Sequence, residues 1–344
     1  MTNALQVGAT IGILGGGQLG RMLSIAASRM GLRTQIFEPS ANPPASHVTD
    51  SVTTASFNDA NALRRFAADV DVITYEFENI PTSTLDILET ICPIRPGRRA
   101  LSILQDRLTE KEFLNELGLK TAPYANVTCR SEALQAANDI GTPSILKTRR
   151  MGYDGKGQIR LETKADMLRA WDTMQGAASV LEGFINFSHE ISVIAARGVD
   201  GQVACYDPSE NVHREGILHS ATVPANLSAA QRTDAIFLSA NILNALEYVG
   251  VMGVELFVTP TGFIVNEIAP RVHNSGHWTQ NGCDICQFEQ HIRAVAGWPL
   301  ADGARHSDIR MENLIGTDIE RVLELRSIPA AIHLYGKSEV KPGR

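Results

Sequence analysis

The chain has 344 residues, a net charge of −7 and a composition that is 44% hydrophobic and 20% charged. At roughly 100–200 residues per domain, this length predicts two or three domains. The hydrophobic content excludes a mainly disordered chain, and the acidic balance argues against a nucleic-acid partner, which would require a basic surface. No uncharged apolar run reaches the roughly 18 residues that a membrane span needs, and no signal-peptide pattern opens the chain. We therefore expect a cytoplasmic globular protein without a membrane or nucleic-acid partner.

The first hundred residues alternate predicted strands and helices, which predicts a parallel sheet covered by helices. The strands are expected at 9–14, 34–37 and 70–75, and a helix at 18–30. One charged helix is predicted over 100–117. A smaller α/β segment follows, with helices at 131–139 and 164–175 and strands at 144–147, 158–161 and 179–181. The next part is rich in strands, at 190–196, 202–206, 252–259 and 263–268, with one long helix at 228–248.

Five cysteines, an odd number spread along the chain, are typical of reduced cytoplasmic thiols. Cys283 and Cys286 form a single C-x-x-C pair, which supplies only two of the four ligands that a structural zinc site uses. We expect this pair to pack in the interior rather than to bind metal or exchange disulfides.

A glycine motif, G-x-G-x-x-G, spans Gly15 to Gly20 between the first predicted strand and helix, and Glu38 ends the second strand. This arrangement matches the dinucleotide fingerprint and keeps a nicotinamide-dependent oxidoreductase as an alternative. The glycines and the helix N-terminus suit any phosphate, however, so the motif predicts a phosphate more firmly than it predicts NAD. A tight turn without a ligand is the other interpretation.

A second glycine-rich segment lies between two predicted strands. Gly152, Gly155 and Gly157 fall within six residues, interleaved with Lys156 and preceded by Arg149 and Arg150. The pattern differs from the P-loop and predicts a mobile cationic flap that folds over a triphosphate, with the Lys147 ammonium directed at the same phosphates. A solvated hairpin loop is the alternative.

Two apolar strands near the C-terminal end each carry one carboxylate, Glu255 and Glu267, and a Thr-Pro-Thr-Gly turn joins them. We expect the two carboxylates to face each other across a hairpin, where they need a cation such as Mg²⁺. The alternative is an exposed pair. Arg271, His273 and Asn274 follow directly, and the arginine is placed to clamp a phosphoryl group or acyl phosphate. A hydrogen-bonded turn without a ligand is the other interpretation of this loop.

Together these motifs resemble the ATP-grasp superfamily and, within it, the family of N5-carboxyaminoimidazole ribonucleotide synthetases. The resemblance covers nearly the whole chain and rests on residues 15–22, 75–79, 105–107, 152–158, 266–271, 273–278 and 335–337. It implies an α/β fold with a Rossmann-like parallel-sheet domain, a small α/β lid and a mostly antiparallel C-terminal part. The implied boundaries are 1–99, a linker helix at 100–122, a lid at 123–186, the second ATP-grasp subdomain at 187–300 and a small domain at 301–344.

The resemblance also implies an activity, the ATP- and bicarbonate-dependent carboxylation of 5-aminoimidazole ribonucleotide in purine biosynthesis. Carboxyphosphate is the implied intermediate, ADP and phosphate are products, and Mg²⁺ or Mn²⁺ binds at Glu255 and Glu267. ATP is expected to contact Arg107, Lys147, Gly152, Tyr153, Asp154, Gly155, Lys156, Gly157, Gln158, Glu182, Gly183, Phe184, Ile185, Glu190, His213, Asn266 and Glu267.

In such enzymes the first glycine motif lies beside the ribonucleotide and not beside NAD. The implied ribonucleotide contacts are Gln18, Leu19, Glu76, Tyr153, Lys156, Lys337 and Arg344. The implied catalytic set is Arg271, His273 and Asn274 for bicarbonate and carboxyphosphate, Asp154 for the amine proton, and Lys337. A homodimer is expected. A formate-dependent glycinamide ribonucleotide transformylase stays an alternative, as does a non-catalytic nucleotide-binding protein, which has no need of both carboxylates.

Overall fold

Three sheets organise the computed structural model, which describes residues 4–152 and 156–337. The strands are β1 Thr10–Leu14, β2 Arg33–Phe37, β3 Ser51–Thr53, β4 Val72–Tyr75, β5 Tyr124–Val127, β6 Ser144–Thr148, β7 Gln158–Leu161, β8 Ser179–Gly183, β9 His189–Arg197, β10 Val203–Cys205, β11 Ser209–Arg214, β12 Ile217–Val223, β13 Gly250–Thr259, β14 Gly262–Ala269 and β15 Ile309–Glu312. The α-helices are α1 Gln18–Arg29, α2 Ala60–Ala68, α3 Thr82–Leu88, α4 Arg98–Leu104, α5 Arg107–Glu116, α6 Arg130–Ile140, α7 Asp166–Thr173, α8 Ala229–Ala245, α9 Thr279–Gly282, α10 Gln287–Ala296 and α11 Val322–Leu325.

The N-terminal sheet is parallel, in the order β3-β2-β1-β4, as the alternation of strands and helices predicts. All four residues of β4 and the last four of β1 are buried, because helices cover a doubly wound sheet on both faces. The carboxyl ends of β1 and β4 lie side by side, since Leu14 pairs with Tyr75. Residues that follow these two strands, including the glycine motif and Glu76, therefore meet at one edge of the sheet.

The second sheet is small and antiparallel, in the order β5-β8-β6-β7. Helices α6 and α7 pack on one of its faces around Val127, Leu146, Leu161, Trp171 and Leu181. The glycine-rich flap predicted from the sequence connects β6 to β7, so it is a hairpin connection at the end of this sheet.

The central sheet runs in the order β14-β13-β9-β11-β12-β15, with β10 also paired to β9. The two faces of β9 enter different cores, because successive side chains of a strand point to opposite sides. Val193 and Ala195 pack in the core that contains α8, whereas Ile194 and Ala196 pack with α10 and α1. Helix α10 therefore lies between the central sheet and the N-terminal sheet.

The single helix predicted over 100–117 is wrong, since the structure breaks it into α4 and α5 at Gln105 and Asp106. The Asp106 carboxylate accepts a hydrogen bond from the backbone N–H of Leu108 at 3.0 Å and so caps α5. The same carboxylate receives Arg149 through two hydrogen bonds, at 2.8 and 2.6 Å. The break thus attaches the start of α5 to the base of the flap.

The cysteine pair behaves as expected, because Cys283 is buried and Cys286 packs against the same apolar core as α1 and α10. Within residues 4–152 and 156–337, no helix has the length and apolar character needed to cross a membrane.

His291 of α10 connects the central sheet to the N-terminal sheet. Its ring is fully buried, its Nδ1 accepts the backbone N–H of Val251 on β13 at 3.0 Å, and its Nε2 lies 2.8 Å from the hydroxyl of Thr74 on β4. The Val251 contact fixes the hydrogen on Nε2, which donates to Thr74. Burial lowers the pKa of His291 to about 3, so the ring stays neutral in the folded chain.

We predict that His291→Gln reduces the acid sensitivity of the fold. Below the ordinary histidine pKa of 6.5, His291 binds a proton in the unfolded chain but stays neutral in the folded chain. The free energy of unfolding therefore falls as the pH decreases from 6.5 towards 3. This single group contributes about 2 kcal/mol of that loss by about pH 5. Urea unfolding at about pH 8 and pH 5 should show a smaller difference for the variant. An unchanged difference would contradict the role given to this ring.

Candidate active site

Three cationic side chains and two carboxylates meet where α5, the second sheet and the β13–β14 hairpin come together. Nη1 of Arg107 lies 3.0 Å from Glu267, and Nζ of Lys147 lies 2.9 Å from Glu182. Lys111, one turn after Arg107, places its Nζ 3.2 Å from the other oxygen of Glu182. The predicted phosphate-binding cations are therefore assembled in one place, and each is paired with a carboxylate.

The pKa values in this cluster follow the pairing. Burial alone would raise the pKa of Glu182, but Lys147 and Lys111 outweigh it and hold that pKa at about 2. Desolvation would likewise raise the pKa of Glu267, but the charges of Arg107 and Lys147 outweigh it and lower that pKa below its ordinary value. Both carboxylates are therefore ionised near neutral pH.

Glu255 and Glu267 are direct cross-strand partners in the β13–β14 hairpin, which confirms the predicted arrangement. The register then slips, because Leu256 pairs with Val265 and leaves Asn266 as an extra residue. Such a bulge turns a side chain that would otherwise point to the opposite face. Nδ2 of Asn266 accordingly donates to Glu255 at 3.3 Å, beside Glu267.

A buried carboxyl group, that of Glu110 on α5, supports this bulge. It accepts the backbone N–H of Ile268, the residue after Glu267, at 2.6 Å. Burial raises the pKa of Glu110 to about 8, although Lys111 and Arg107 oppose the rise. One helix thus supplies Arg107 to the side chain of Glu267 and Glu110 to the backbone next to it.

The donors around Glu255 fit a divalent cation. One ligand atom each of Glu190, His213 and Glu255 lies within 4.8 Å of the others, and Glu267 faces Glu255 from the next strand. Burial and the neighbouring Glu267 raise the pKa of Glu255 above its ordinary value, because the carboxylates here are close together without enough positive charge. Of these donors, the facing carboxylate oxygens of Glu255 and Glu267 are the kind that suit Mg²⁺ and Mn²⁺.

The loop after β14 carries the residues predicted to handle an anion. Arg271 donates to both oxygens of Glu78, at 2.5 and 3.3 Å, and its charge lowers the pKa of Glu78 even though burial opposes this. His273 Nε2 lies 3.6 Å from Glu255. Oδ1 of Asn274 is buried and has no hydrogen-bond partner among the described residues, so it is a polar atom that a ligand can satisfy.

Backbone N–H groups of the first glycine motif donate hydrogen bonds to two carboxylates of the same chain. The N–H groups of Gly17 and Gly20 donate to Glu76, the second at 2.5 Å, and the N–H of Gly16 donates to Glu38 at 2.9 Å. A Cβ at Gly15, whose φ is +100°, would lie 2.5 Å from the Glu76 side chain. The structure thus contradicts a phosphate or dinucleotide site on these N–H groups, and the Glu38 carboxylate binds the motif itself.

The C-terminal motif reaches the same edge of the N-terminal sheet. The Tyr335 hydroxyl lies 2.6 Å from Nδ1 of His277, and a Cβ at Gly336 would lie 3.3 Å from the guanidinium of Arg21. Residues 335–337 therefore lie against the first turns of α1, the helix that begins with Gln18 and Leu19. This places Lys337 on the side of the cleft that holds Glu76.

The remaining predicted nucleotide contacts line the lid. The N–H groups of Gly183 and Phe184 donate to the carbonyls of Pro123 and Pro143, at 2.8 and 3.1 Å, which leaves Ile185 as the next backbone N–H of this connection. Gly152 and Gly157 both lie next to the Thr148 side chain. Lys156 comes shortly before β7, and Gln158 is the first residue of that strand. Tyr153, Asp154, Gly155 and Arg344 lie outside the described residues.

Three charged residues of this site were not among the predicted site residues: Glu78, Glu110 and Lys111. Glu78 belongs to the 75–79 motif, which carries the family resemblance but predicts no contact for this residue. Lys111 follows Arg107 by four residues and therefore shares its helix face, a spacing visible in the sequence. No local pattern indicates Glu110, because its partner is a backbone group 158 residues away.

Comparisons with known proteins agree over nearly the whole chain. A ribonucleotide synthetase preATP-grasp domain model matches residues 8–105, and an ATP-grasp domain model matches residues 112–288. An N5-carboxyaminoimidazole ribonucleotide synthase of Brucella melitensis is 52% identical, over 99% of this chain and 95% of that protein.

Solved structures give the same result. A crystal structure of an N5-carboxyaminoimidazole ribonucleotide synthetase with ADP superposes with a TM-score of 0.96 at 40% identity, covering 99% of this chain and 91% of that one. An N5-carboxyaminoimidazole synthase of Aspergillus clavatus, solved with ADP and 5-aminoimidazole ribonucleotide, has a TM-score of 0.92 at 31% identity, covering 98% and 92%. The chain therefore belongs to the ATP-grasp superfamily and, within it, to the N5-carboxyaminoimidazole ribonucleotide synthase family.

Proposed function

We propose that this chain uses ATP and bicarbonate to carboxylate the exocyclic amine of 5-aminoimidazole ribonucleotide, giving N5-carboxyaminoimidazole ribonucleotide, ADP and phosphate in purine biosynthesis. The observation that carries the proposal is the joint placement of paired cations, facing carboxylates and the Arg271 loop in one cleft. Kinship over the full chain with enzymes of this name supports the same acceptor.

The nucleotide half of the cleft has the charges that phosphoryl transfer needs. Arg107 and Lys147 are the residues we propose for the ATP phosphates, because their cationic groups lie at the end of the lid sheet beside Glu267. The flap over 152–158 is proposed to close on them. The connection from Glu182 to Ile185 is proposed to hold the adenine through its backbone, with Glu190 and His213 at the ribose.

Glu255 and Glu267 would hold Mg²⁺ or Mn²⁺, with Asn266 beside them. Such a cation, when bound, neutralises charge on the phosphates and orients the γ-phosphoryl group. The chain's own part is to keep two carboxylates facing each other and to hold the bulge with Glu110, so that the oxygens are in place before the ligand arrives.

The proposed chemistry has two transfers. A bicarbonate oxygen attacks the γ-phosphorus of ATP, the bond to the ADP oxygen breaks, and carboxyphosphate forms. The amine nitrogen then attacks the carboxyl carbon, directly or after CO₂ has been released, and phosphate departs. Arg271, His273 and Asn274 are proposed to orient the bicarbonate, and Asp154 to take the amine proton.

The ribonucleotide is proposed to lie on the opposite side of this loop. Glu76, fixed by the N–H groups of Gly17 and Gly20, lies at the start of α1, where Gln18 and Leu19 are proposed to contact the ribonucleotide. Lys337 and Arg344 are proposed for its 5′-phosphate, and Tyr153 and Lys156 for contacts from the flap. A homodimer and a cytoplasmic location remain predictions.

The function is tested by phosphate release from Mg·ATP. We expect strong release only when bicarbonate and 5-aminoimidazole ribonucleotide are both present, because bicarbonate accepts the phosphoryl group and the amine consumes the carboxyphosphate that forms. Formate with glycinamide ribonucleotide is the matched control for the transformylase alternative. Release that depends on this control pair, and not on bicarbonate, would overturn the proposal.

We predict that Glu267→Gln lowers kcat by roughly 100-fold or more and weakens Mn²⁺ binding, since the amide lacks the charge that faces Glu255. Electron paramagnetic resonance of free Mn²⁺ measures the binding independently of turnover. Glu324→Gln on the exposed helix α11 is the control and should leave both quantities unchanged. Wild-type Mn²⁺ affinity in Glu267→Gln would contradict the assignment of this carboxylate.

A further inference from the structure

The backbone and the ring of His273 are both fixed by buried neighbours. The amide of the fully buried Gln287 clamps its backbone, accepting its N–H at 2.9 Å and donating to its carbonyl at 2.7 Å. A Cβ at Gly253 on β13 would lie 2.7 Å from the Cβ of His273, so only glycine leaves room for the ring. The ring position is therefore fixed before any ligand arrives.

The orientation of the ring is fixed at Nδ1. This atom accepts the backbone N–H of Ser275 at 3.4 Å and lies 2.8 Å from the Ser275 hydroxyl. The backbone contact is long and therefore weak, so it favours a bare Nδ1 without enforcing it. The shorter contact decides the tautomer, because a hydroxyl that donates to Nδ1 leaves no hydrogen on that atom. The ring hydrogen is then on Nε2, which points towards Glu255 and the cleft.

A second hydroxyl keeps the Ser275 hydrogen pointing at the ring. Ser192 on β9 donates to the Ser275 oxygen at 2.6 Å, the shorter of its two hydroxyl contacts. The other contact, at 2.9 Å, is with Ser209 on β11, which donates to Oδ1 of Asn211 at 3.1 Å. All three serines are at most 1% exposed, so water does not compete for these bonds. A hydroxyl has one hydrogen, and accepting from Ser192 leaves Ser275 free to give its own to His273.

We infer that Ser192 and Ser275 form a buried hydroxyl relay that locks His273 in the Nε2–H tautomer, so that the imidazole presents a hydrogen-bond donor to the anionic substrate. With this tautomer Nε2 is neither a general base nor a metal ligand, because both roles need a bare nitrogen. The two serines are positioning residues, and His273 is the group that meets the bicarbonate or carboxyphosphate oxygen. The role of the donor rests on the proposed function, whereas the tautomer does not.

Nitrogen-15 NMR of the imidazole nitrogens in the unliganded protein tests the tautomer, since protonated and bare ring nitrogens resonate in separate ranges. The His273 signals are those lost in His273→Gln. We expect a protonated Nε2 and a bare Nδ1 in the wild-type protein. A protonated Nδ1 there would overturn the inference, whether or not any serine variant folds and whatever the activity.

Serine variants test the relay itself. Ser275→Ala should bring the Nδ1–H form into the spectrum and lower kcat about 10-fold with an unchanged KM for ATP. Ser192→Ala should have a smaller effect, and none when added to Ser275→Ala, because it acts only through that hydroxyl. Ser239→Ala, an equally buried hydroxyl in α8, is the matched control and should change neither the spectrum nor kcat.

The outcomes separate the two proposals. A wild-type Nε2–H tautomer that is unaffected by Ser275→Ala would overturn the relay. The expected spectra in a protein that releases no phosphate with bicarbonate and the aminoimidazole ribonucleotide would overturn the proposed function and leave the relay standing. If Ser192→Ala and Ser275→Ala lowered kcat by equal factors that multiply in the double variant, the cause would be general packing damage, and the relay would also be overturned.

Discussion

Glu182 and the two lysines that share its carboxylate are the interaction on which the cleft depends. All three residues are less than 10% exposed, and a buried charge that loses its partner costs several kcal/mol. Lys147 belongs to the lid sheet and Lys111 to α5, so satisfying Glu182 brings these two elements together. The same helix supplies Arg107 and Glu110 to β14. One helix therefore connects the cations of the cleft to its carboxylates.

A second constraint joins this cleft to the N-terminal sheet. Arg271, which follows the carboxylate hairpin, binds Glu78, which follows β4. Glu76, two residues earlier, instead binds the glycine motif after β1. The two carboxylates of one short segment thus fix the anion loop on one side and the proposed ribonucleotide surface on the other, which sets the distance between the two proposed substrates.

Much of this arrangement could be predicted from the sequence, because its signals are local. Alternating apolar strands and helices indicated the parallel sheet, and the Thr-Pro-Thr-Gly turn fixed a hairpin in which Glu255 faces Glu267. The rest depends on partners distant in sequence. The glycine motif does not indicate that Glu76 binds its N–H groups. The continuous helical pattern over 100–117 does not indicate that the helix breaks where Asp106 binds Arg149. The bulge at Asn266 could not be predicted from the sequence either, because Glu110, which supports it, belongs to a helix far away in the chain.

The central claim is that this cleft uses ATP to activate bicarbonate. Turnover with ¹⁸O-labelled bicarbonate and 5-aminoimidazole ribonucleotide, followed by mass analysis of the phosphate, tests it most directly. If bicarbonate attacks the γ-phosphorus, the bridging oxygen stays with phosphorus when the carboxyl carbon is transferred, and each phosphate carries one labelled oxygen. Phosphate without label, formed alongside the carboxylated product, would contradict the account.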